Sequence, residues 1–336
     1  MTTVLITGGA GFIGSNYIRY MLSRHGDYHV INLDKLTYAG NPENLQELPD
    51  PERHEFVRGD ICNRELVDHL MSRVDMVVNF AAESHVDRSI MGAEAFMQTN
   101  ATGVYVLLQA ALAHGVKRFL QVSTDEVYGS LEPEDEPWTE HAPLAPRNPY
   151  AVSKAAGDMM ARAFAITHGL PVVVTRAANN VGPYQYPEKR VPLFVTNAMD
   201  DLPLPVYGKG TAIRDHLYVT DHCEAVDIVL HQGEAGEAYN VGADNDADGL
   251  ALTEQILRLL GKPGSLVQHV KDRPGHDMRY ALDSSKLKAL GWQPRHTLDE
   301  AIERTVEWYV NHQAWWRPIK EGDDYRAYYA RQYGHR

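Results

Sequence analysis

The sequence predicts an α/β protein built on a doubly wound parallel sheet, followed by a smaller C-terminal domain. Three features lead to this prediction: a glycine-rich loop directly after the first apolar run, an alternation of short apolar runs with helical stretches, and shorter elements interrupted by prolines after Arg176. Short apolar runs between helical patterns are typical of parallel strands buried on both faces. Right-handed crossover connections leave few other topologies for such a chain.

The first element is a strand at Thr3–Thr7, which runs into the glycine loop Gly8–Gly14 and then a helix to about Arg24. Glycines in such a loop permit a tight turn and let the backbone approach a pyrophosphate at the helix N-terminus. A second strand, Val30–Leu33, ends in Asp34, 20 residues beyond the last glycine. An acid there can accept the ribose hydroxyls and repel a 2′-phosphate. We therefore expect a Rossmann-type domain that binds NAD rather than NADP.

Four further apolar runs are expected to be strands: Glu55–Arg58, Asp75–Ala81, Arg118–Val122 and Leu170–Thr175. Gly59–Ile61 and Phe80–Glu83 would then lie at the carboxyl edge of the sheet, beside the adenine and nicotinamide halves of the cofactor respectively. After Arg176 the chain has shorter elements interrupted by prolines, which indicates a second domain. The expected division is an NAD-binding domain at 1–175 and, at 176–336, a smaller domain that lies over the carboxyl edge and binds the substrate, with some later segments returning to the sheet.

Candidate catalytic residues follow the predicted strand Arg118–Val122. Thr124, Asp125 and Glu126 come directly after it, and two acids together are of the kind needed to eliminate water. Tyr150 and Lys154 occupy positions i and i+4 of a predicted helix, so both side chains point the same way. A nearby ammonium favours tyrosinate, so we expect a lowered Tyr150 pKa and a phenol able to act as base towards a sugar hydroxyl. Taken alone, these patterns also fit an ordinary helix face and the start of a loop.

Composition and charge exclude several classes of function. The net charge of −13, from 32 basic and 45 acidic residues, argues against non-specific nucleic-acid binding. No apolar run approaches the ~18 residues of a membrane span, and no basic and apolar leader precedes the first strand. Cys62 and Cys223 lack metal-ligand spacing and indicate unpaired thiols in a reducing compartment. We expect a cytoplasmic enzyme without a metal and without a nucleic-acid or membrane partner.

More selective motifs extend over nearly the full length of the chain. Besides the glycine loop and Tyr150–Lys154, they are Asp34–Asn41, Ala81–Ile90, Ser123–Gly129, Asn179–Asn180, Gly182–Lys189, Ile213–Asp215 and Asp272–Asp277. On these stretches the sequence resembles the extended short-chain dehydrogenase/reductases, and within them the dTDP-glucose 4,6-dehydratases. The glycine loop and the Tyr-x-x-x-Lys pair are shared by the whole superfamily. The Thr-Asp-Glu run and the stretch from Ala81 are far more selective for the dehydratases.

The resemblance implies a NAD-dependent, redox-neutral lyase of deoxysugar biosynthesis. Such an enzyme converts dTDP-glucose to dTDP-4-keto-6-deoxyglucose by C4 oxidation, water elimination across C5 and C6, and hydride return to C6. By the same resemblance, Tyr150 takes the O4 proton, Lys154 assists it and holds the ribose, and Thr124 hydrogen-bonds near O4. Glu126 would remove the C5 proton, and Asp125 would protonate the departing C6 hydroxyl. Adjacent carboxyl groups with different roles need unequal pKa values, which burial and mutual repulsion can supply.

The resemblance also implies two sets of binding residues. The cofactor set comprises Gly8, Gly11, Phe12, Ile13, Gly14, Asp34, Lys35, Leu36, Thr37, Asp60, Ile61, Phe80, Ala81, Ala82, Ser84, Thr99, Tyr150, Lys154 and Asn180. The substrate set comprises His85, Thr124, Asn179, Lys189, Arg190, Pro205, Tyr207, Arg214, Arg273, His276 and Tyr333. Within the second set, Arg214, Arg273 and Lys189 are candidates for the diphosphate, because guanidinium forks match phosphate oxygens.

Some positions depart from the family pattern. Ala177-Ala178 replaces a frequent Cys-Ser, Val181 a usual Tyr, and His216 a usual Trp. Gly249 stands where an Asn commonly contacts the pyrimidine, so another nucleotide sugar such as UDP-glucose stays an alternative substrate. A nucleotide-sugar 4-epimerase is a further alternative, although it needs no acid and base at C5 and C6. A non-catalytic nucleotide-sensing protein of this fold would have little reason to keep all four catalytic side chains.

Assembly is implied by resemblance alone. The predicted helices Gly92–His114 and Pro149–Thr167 resemble those that pair into a four-helix dimer interface in this family. We therefore expect a homodimer.

Overall fold

A seven-stranded parallel sheet forms the centre of the protein in the computed structural model, which describes residues 1–334. Its strand order is β10-β6-β5-β4-β1-β2-β3. The strands are β1 (Thr2–Thr7), β2 (Tyr28–Asp34), β3 (His54–Arg58), β4 (Met76–Asn79), β5 (Arg118–Thr124), β6 (Val172–Ala177) and β10 (Ala238–Val241). This order confirms the predicted doubly wound parallel sheet. The order reverses between β1 and β4, and the crevice above such a point is where ligands bind in open α/β sheets.

The C-terminal half adds two small sheets, with strand orders β11-β9-β7 and β12-β8. Their strands are β7 (Asn179–Val181), β8 (Leu204–Tyr207), β9 (Ile213–Tyr218), β11 (Asp246–Asp248) and β12 (Val267–Val270). The α-helices are α1 (Phe12–Arg24), α2 (Arg64–Met71), α3 (Val86–Met91), α4 (Glu94–Met97), α5 (Val104–His114), α6 (Pro149–His168), α7 (Arg190–Met199), α8 (Val219–Gln232), α9 (Gly249–Leu260), α10 (Ser285–Lys288), α11 (Leu298–Asn311), α12 (Gln313–Glu321) and α13 (Asp323–Tyr333). Among residues 1–334, no helix has the length and apolar character needed to cross a membrane.

Both faces of the main sheet are buried, because successive side chains of each strand point to opposite sides. Val4 and Ile6 of β1 belong to the core formed with α1 and α8. Leu5, between them, belongs to the core formed with α2, α5 and α6. A third core joins α7, α9 and α11 in the C-terminal half. This layering holds the carboxyl ends of the strands in fixed positions beneath the C-terminal half.

One predicted helix differs from the structure. The stretch Gly92–His114 is not continuous: α4 begins at Glu94, a π-helical turn spans Gln98–Gly103, and α5 follows. The turn lies where α6 packs closely, since a Cβ at Gly157 would come within 2.4 Å of the Asn100 carbonyl oxygen. The Asn100 side chain is buried there and donates to the Glu83 carbonyl and the Ser153 hydroxyl. Sequence periodicity could not reveal this contact.

Candidate active site

The glycine loop forms a close turn between β1 and α1. Gly8 has φ +72°, and a Cβ there would lie 2.6 Å from the Ala81 amide nitrogen. A Cβ at Gly14 would lie 2.3 Å from the Gly8 carbonyl oxygen, so a side chain at either position would displace backbone. No side chain caps the N-terminus of α1, and the first amides of a helix are well suited to an anionic group. The loop therefore fits a dinucleotide pyrophosphate.

Asp34, the last residue of β2, ties this loop to the next one. Its carboxylate accepts hydrogen bonds from the Ala10 amide (2.9 Å) and the Leu36 amide (2.8 Å). Burial raises its pKa, and the two amide hydrogen bonds oppose that rise. The carboxylate also lines the cleft above the sheet, where a negative charge disfavours a 2′-phosphate. These features fit NAD.

A cleft over the carboxyl edge brings most of the predicted cofactor residues together. They are Gly8, Gly11, Phe12, Ile13, Gly14, Asp34, Lys35, Thr37, Asp60, Ile61, Phe80, Ala81, Ala82, Ser84, Thr99, Tyr150 and Lys154. Lys35 forms an ion pair with Asp60 at 2.7 Å. Two predicted residues do not line this cleft: Leu36, whose amide donates to the Asp34 carboxylate, and Asn180, which lines the neighbouring cleft. The cofactor residues stay a prediction, with those two in less direct positions.

The acidic run lies at the end of β5. The Thr124 hydroxyl donates to the Asp125 carboxyl group at 2.9 Å and accepts from the Glu126 amide, which begins a short 3-10 turn. Asp125 is buried, and burial, followed by the charge of Glu126, raises its pKa to about 8. Glu126 accepts a hydrogen bond from the Asn148 side chain at 3.1 Å and lines the substrate cleft. The raised pKa favours the protonated form of Asp125, which is the form that a general acid requires.

The prediction that Lys154 lowers the Tyr150 pKa is wrong for the protein by itself. The Lys154 ammonium donates to the Val122 carbonyl oxygen at 2.7 Å, and burial lowers its pKa to about 8. The Tyr150 pKa is raised, first by burial and then by the charge of Glu126. A hydrogen bond with Thr124 lowers it only in part. The helix register was predicted correctly, but burial of the phenol, followed by the charges of the two acids, decides the sign of the pKa shift.

A second cleft, of about 180 Å³, lies between the sheet and the C-terminal half. It brings together ten predicted substrate residues: His85, Asn179, Lys189, Arg190, Pro205, Tyr207, Arg214, Arg273, His276 and Tyr333. Thr124 does not line it and lies buried beneath the site. Asn179 has a buried side-chain oxygen without a hydrogen-bond partner among the described residues, so the cleft contains a polar group that a ligand can satisfy.

Comparisons with known proteins identify the family. A model for the family described as GDP-mannose 4,6 dehydratase matches residues 5–305. A dTDP-glucose 4,6-dehydratase from Streptomyces niveus is 51% identical over 326 residues, which cover 96% of each protein. The chain belongs to the nucleotide-sugar 4,6-dehydratase family. This membership confirms the resemblance inferred from the motifs.

Solved structures relate the 4,6-dehydratase family to neighbouring enzymes. A dTDP-glucose 4,6-dehydratase from Streptomyces venezuelae, solved with NAD and dTDP bound, is similar with a TM-score of 0.92 and 47% identity. The match covers 95% of this chain and all of that one. A UDP-glucose 4-epimerase from Thermus thermophilus, in complex with NAD, has a TM-score of 0.86 at 31% identity, covering 93% of this chain and all of that one. The fold is thus common to both activities, and the site residues must distinguish them.

Two residues of the 4,6-dehydratase site were missed by the sequence reasoning. Glu188 is buried, lines both clefts, and accepts a hydrogen bond from Arg88 at 2.7 Å. The Arg88 guanidinium also lies 3.9 Å from the centre of the Tyr38 ring. Asn148 caps α6 and fixes Glu126, which links the helix carrying Tyr150 to the acid. Two sequence features could have indicated these residues. Asn148 stands in an Asn-Pro pair at the start of the helix, and Glu188 lies within the motif Gly182–Lys189.

Proposed function

We propose that this protein converts dTDP-glucose to dTDP-4-keto-6-deoxyglucose by a redox-neutral loss of water. The observation that carries the proposal is the placement of two unlike carboxyl groups beside Tyr150. Asp125 is buried with a raised pKa, whereas Glu126 faces the substrate cleft and accepts a hydrogen bond from Asn148. Neighbouring acids in different environments suit one proton donor and one proton acceptor.

In this proposal each side chain moves one proton. Tyr150 takes the proton of the sugar O4 as C4 becomes a ketone, and Thr124 orients the phenol. The ketone makes the C5 proton acidic, and Glu126 removes it. Asp125 gives its proton to the C6 hydroxyl, which leaves as water. A general acid or base of this kind contributes typically 10²- to 10⁴-fold to the rate.

Lys154 and the glycine loop position the cofactor. The buried Lys154 lines the cofactor cleft one helical turn after Tyr150, where it can hold a ribose hydroxyl. Bound NAD supplies the acceptor and donor of hydride, and its nicotinamide ring carries a positive charge of the sign that lowers a phenol pKa. The N-terminus of α1 would hold its pyrophosphate, and Asp34 its ribose.

The division of the chain follows the two clefts. We retain 1–175 as the cofactor-binding domain and 176–336 as mainly the substrate-binding domain; residues 335 and 336 lie outside the described residues. The cofactor cleft is lined mostly from the first range and the substrate cleft mostly from the second. β10 is the segment of the second range that pairs with β6 in the main sheet.

The experiment is incubation of the protein with dTDP-glucose. We expect a product lighter by one water with a ketone at C4, and no net NADH absorbance at 340 nm because the redox change is internal. A product of unchanged mass would identify a 4-epimerase. Formation of NADH in proportion to product would identify a simple dehydrogenase. UDP-glucose, the alternative substrate, is tested in parallel.

The proposal extends to a cytoplasmic homodimer. Large apolar side chains are exposed on α3, α4 and α6, which is the pattern of an association surface. They are Ile90, Met97, Val152, Met159, Met160 and Ile166. An isologous contact through the two predicted helices Gly92–His114 and Pro149–Thr167 of each copy would form a four-helix interface.

A further inference from the structure

Arg190 is a cation in the substrate cleft without an acidic partner. It is the first residue of α7 and lines the cleft. Among residues 1–334, no carboxylate lies within ion-pair distance of its guanidinium. Burial lowers its pKa to about 9, and the charges of Arg214 and Arg273 add to that effect. A buried guanidinium without an ion-pair partner destabilises the folded protein. Ligand binding therefore explains its presence more readily than a contribution to folding does.

His216 and Gly249 determine where the Arg190 guanidinium lies. Arg190 Nη2 is 3.0 Å from His216 Nε2. Burial, followed by the charge of Arg190, lowers the His216 pKa to about 3, so the neutral imidazole accepts this hydrogen bond. A Cβ at Gly249 would lie 3.2 Å from Arg190 Nη1 and 3.0 Å from the Gly210 carbonyl oxygen. A side chain at Gly249 would therefore crowd the guanidinium and shift it from this position, whereas glycine leaves it room.

The surroundings of Arg190 differ from those of the other two arginines. Arg214 donates to the carbonyl oxygens of Ile213 and Asp277, which engages much of its fork. Arg273 lies 3.8 Å from the Asp87 carboxylate. The cleft that Arg190 lines also has apolar residues in its walls, among them Leu193, Phe194, Pro205 and Val206. Leu193 and Phe194 follow Arg190 by three and four residues on α7 and therefore lie on the same helix face. An apolar compartment with one directed set of N–H donors suits a flat heterocycle that carries carbonyl oxygens.

We propose that Arg190, held by His216 and given room by Gly249, reads the nucleobase by donating to the O4 carbonyl oxygen of the pyrimidine. This inference rests on the proposed function, because it takes the ligand to be a nucleotide sugar. Thymine and uracil both present O4, so the contact accepts both. Cytosine presents an amino group at that position, which is a donor that a guanidinium cannot bind. The chain therefore selects 4-carbonyl pyrimidines and discriminates weakly between dTDP-glucose and UDP-glucose.

The test compares kcat and KM for dTDP-, UDP- and CDP-glucose in the wild type, Arg190→Gln and Gly249→Ala. We expect Arg190→Gln to raise KM for the dTDP and UDP sugars by about 10- to 100-fold, the range for loss of a hydrogen bond from a charged donor. The constants for CDP-glucose should change little, so selectivity against cytosine collapses. Gly249→Ala should shift selectivity in the same direction by displacing the guanidinium. Arg258→Ala, exposed on α9, is the control and should leave all constants unchanged.

A phosphate-binding role gives a different pattern. In that case Arg190→Gln would weaken all three sugars equally and also weaken inhibition by inorganic pyrophosphate, and the proposal is overturned. A wild type that prefers dTDP-glucose to UDP-glucose by more than a hundredfold would equally contradict it. Binding of free dTDP, UDP and CDP by calorimetry tests base reading even if no dehydration occurs. Failure of the proposed function therefore remains distinguishable from failure of this inference.

Discussion

At the residue scale, the chemistry depends on which carboxyl group carries a proton. Thr124 donates to Asp125, whereas Asn148 donates to Glu126, so the two acids have separate partners although they are adjacent. Both residues are buried, Asp125 at 1% and Glu126 at 8% exposure, but only Glu126 lines the substrate cleft. The roles of acid and base are therefore set by surroundings and not by residue type.

The two acids should fail at different steps when replaced. Glu126→Gln removes the base and nearly preserves shape, so exchange of the C5 hydrogen with deuterated solvent should stop. Asp125→Asn leaves the base in place, so C5 exchange should persist while water loss slows by about 10²- to 10⁴-fold. A 6-fluoro substrate, whose leaving group needs no proton, should restore only the Asp125→Asn variant. Normal turnover by Glu126→Gln would remove Glu126 from the mechanism.

The pH dependence of turnover should report Asp125. Its pKa is raised to about 8, so the acid form is present below that value and is lost as the pH rises through it. We expect kcat to fall above about pH 8 in the wild type. The residual kcat of Asp125→Asn should decline less steeply, because an amide does not titrate and only Lys154, whose pKa is also lowered to about 8, still loses its proton in this range. Profiles of kcat between pH 6 and 10 measure this decline in both proteins. An unchanged decline in the variant would assign the ionisation to another group.

At the element scale, Asp34 connects β2 to the glycine loop and to the following loop. Asp34→Ala should release the amides of Ala10 and Leu36 and leave the ribose site without an acceptor. We expect NAD retention after gel filtration to fall by at least tenfold, with smaller effects on the affinity for dTDP. Asp135→Ala, in an exposed loop, is the control. Unchanged NAD retention in Asp34→Ala would exclude Asp34 from the cofactor site.

A second element-scale feature is a clasp between the end of α1 and α8. His25 Nε2 lies 2.9 Å from the Asp227 carboxylate, and His231 Nδ1 lies 3.3 Å from the same oxygen. The side-chain hydrogen bond to Asp227 raises the His231 pKa. Burial alone would raise the Asp227 pKa, but hydrogen bonds and charge from the two histidines hold it below its ordinary value.

The clasp should stabilise the fold only within a pH window. The raised His231 pKa gives stability that is complete below about pH 6.5 and is lost as the pH rises through the folded value. The lowered Asp227 pKa gives stability present above about pH 4 and lost as the pH falls. We expect Asp227→Asn to lower the free energy of unfolding by about 1 kcal/mol at pH 5.5 and by less at pH 8.5.

Calorimetric Tm values at both pH values measure this loss of stability. The control is Asp68→Asn, because Asp68 is the exposed partner of His114. Equal losses at both would contradict the clasp.

At the scale of the whole molecule, the exposed apolar side chains of α6 suggest the second copy. Ile166 is 77% and Met159 54% exposed, although neighbouring residues of the same helix are fully buried. Met159→Glu would place a charge in the proposed interface, and we expect a monomer by light scattering after gel filtration. Leu259→Glu, on the exposed face of α9, should not change the mass. A wild-type monomer at micromolar concentration would refute the dimer.

The sequence by itself determined the features that depend on local order. The alternation of apolar runs and helices predicted the doubly wound sheet, because buried parallel strands and their crossover helices produce an alternating pattern in the sequence. The spacing from Gly8–Gly14 to Asp34 gave the cofactor, because turn, helix and strand end follow one another directly along the chain. The register of Tyr150 and Lys154 followed from helix periodicity for the same reason.

Only the tertiary structure decided the electrostatics and the contacts between distant segments. The rise in the Tyr150 pKa depends on burial and on Glu126, 24 residues earlier, and the proton on Asp125 likewise depends on burial. The Arg190–His216–Gly249 arrangement joins three elements of the C-terminal half, and no periodic pattern connects them. Burial and through-space charge are properties of packing. The sequence therefore identifies the interacting residues, but not the direction in which they shift a pKa.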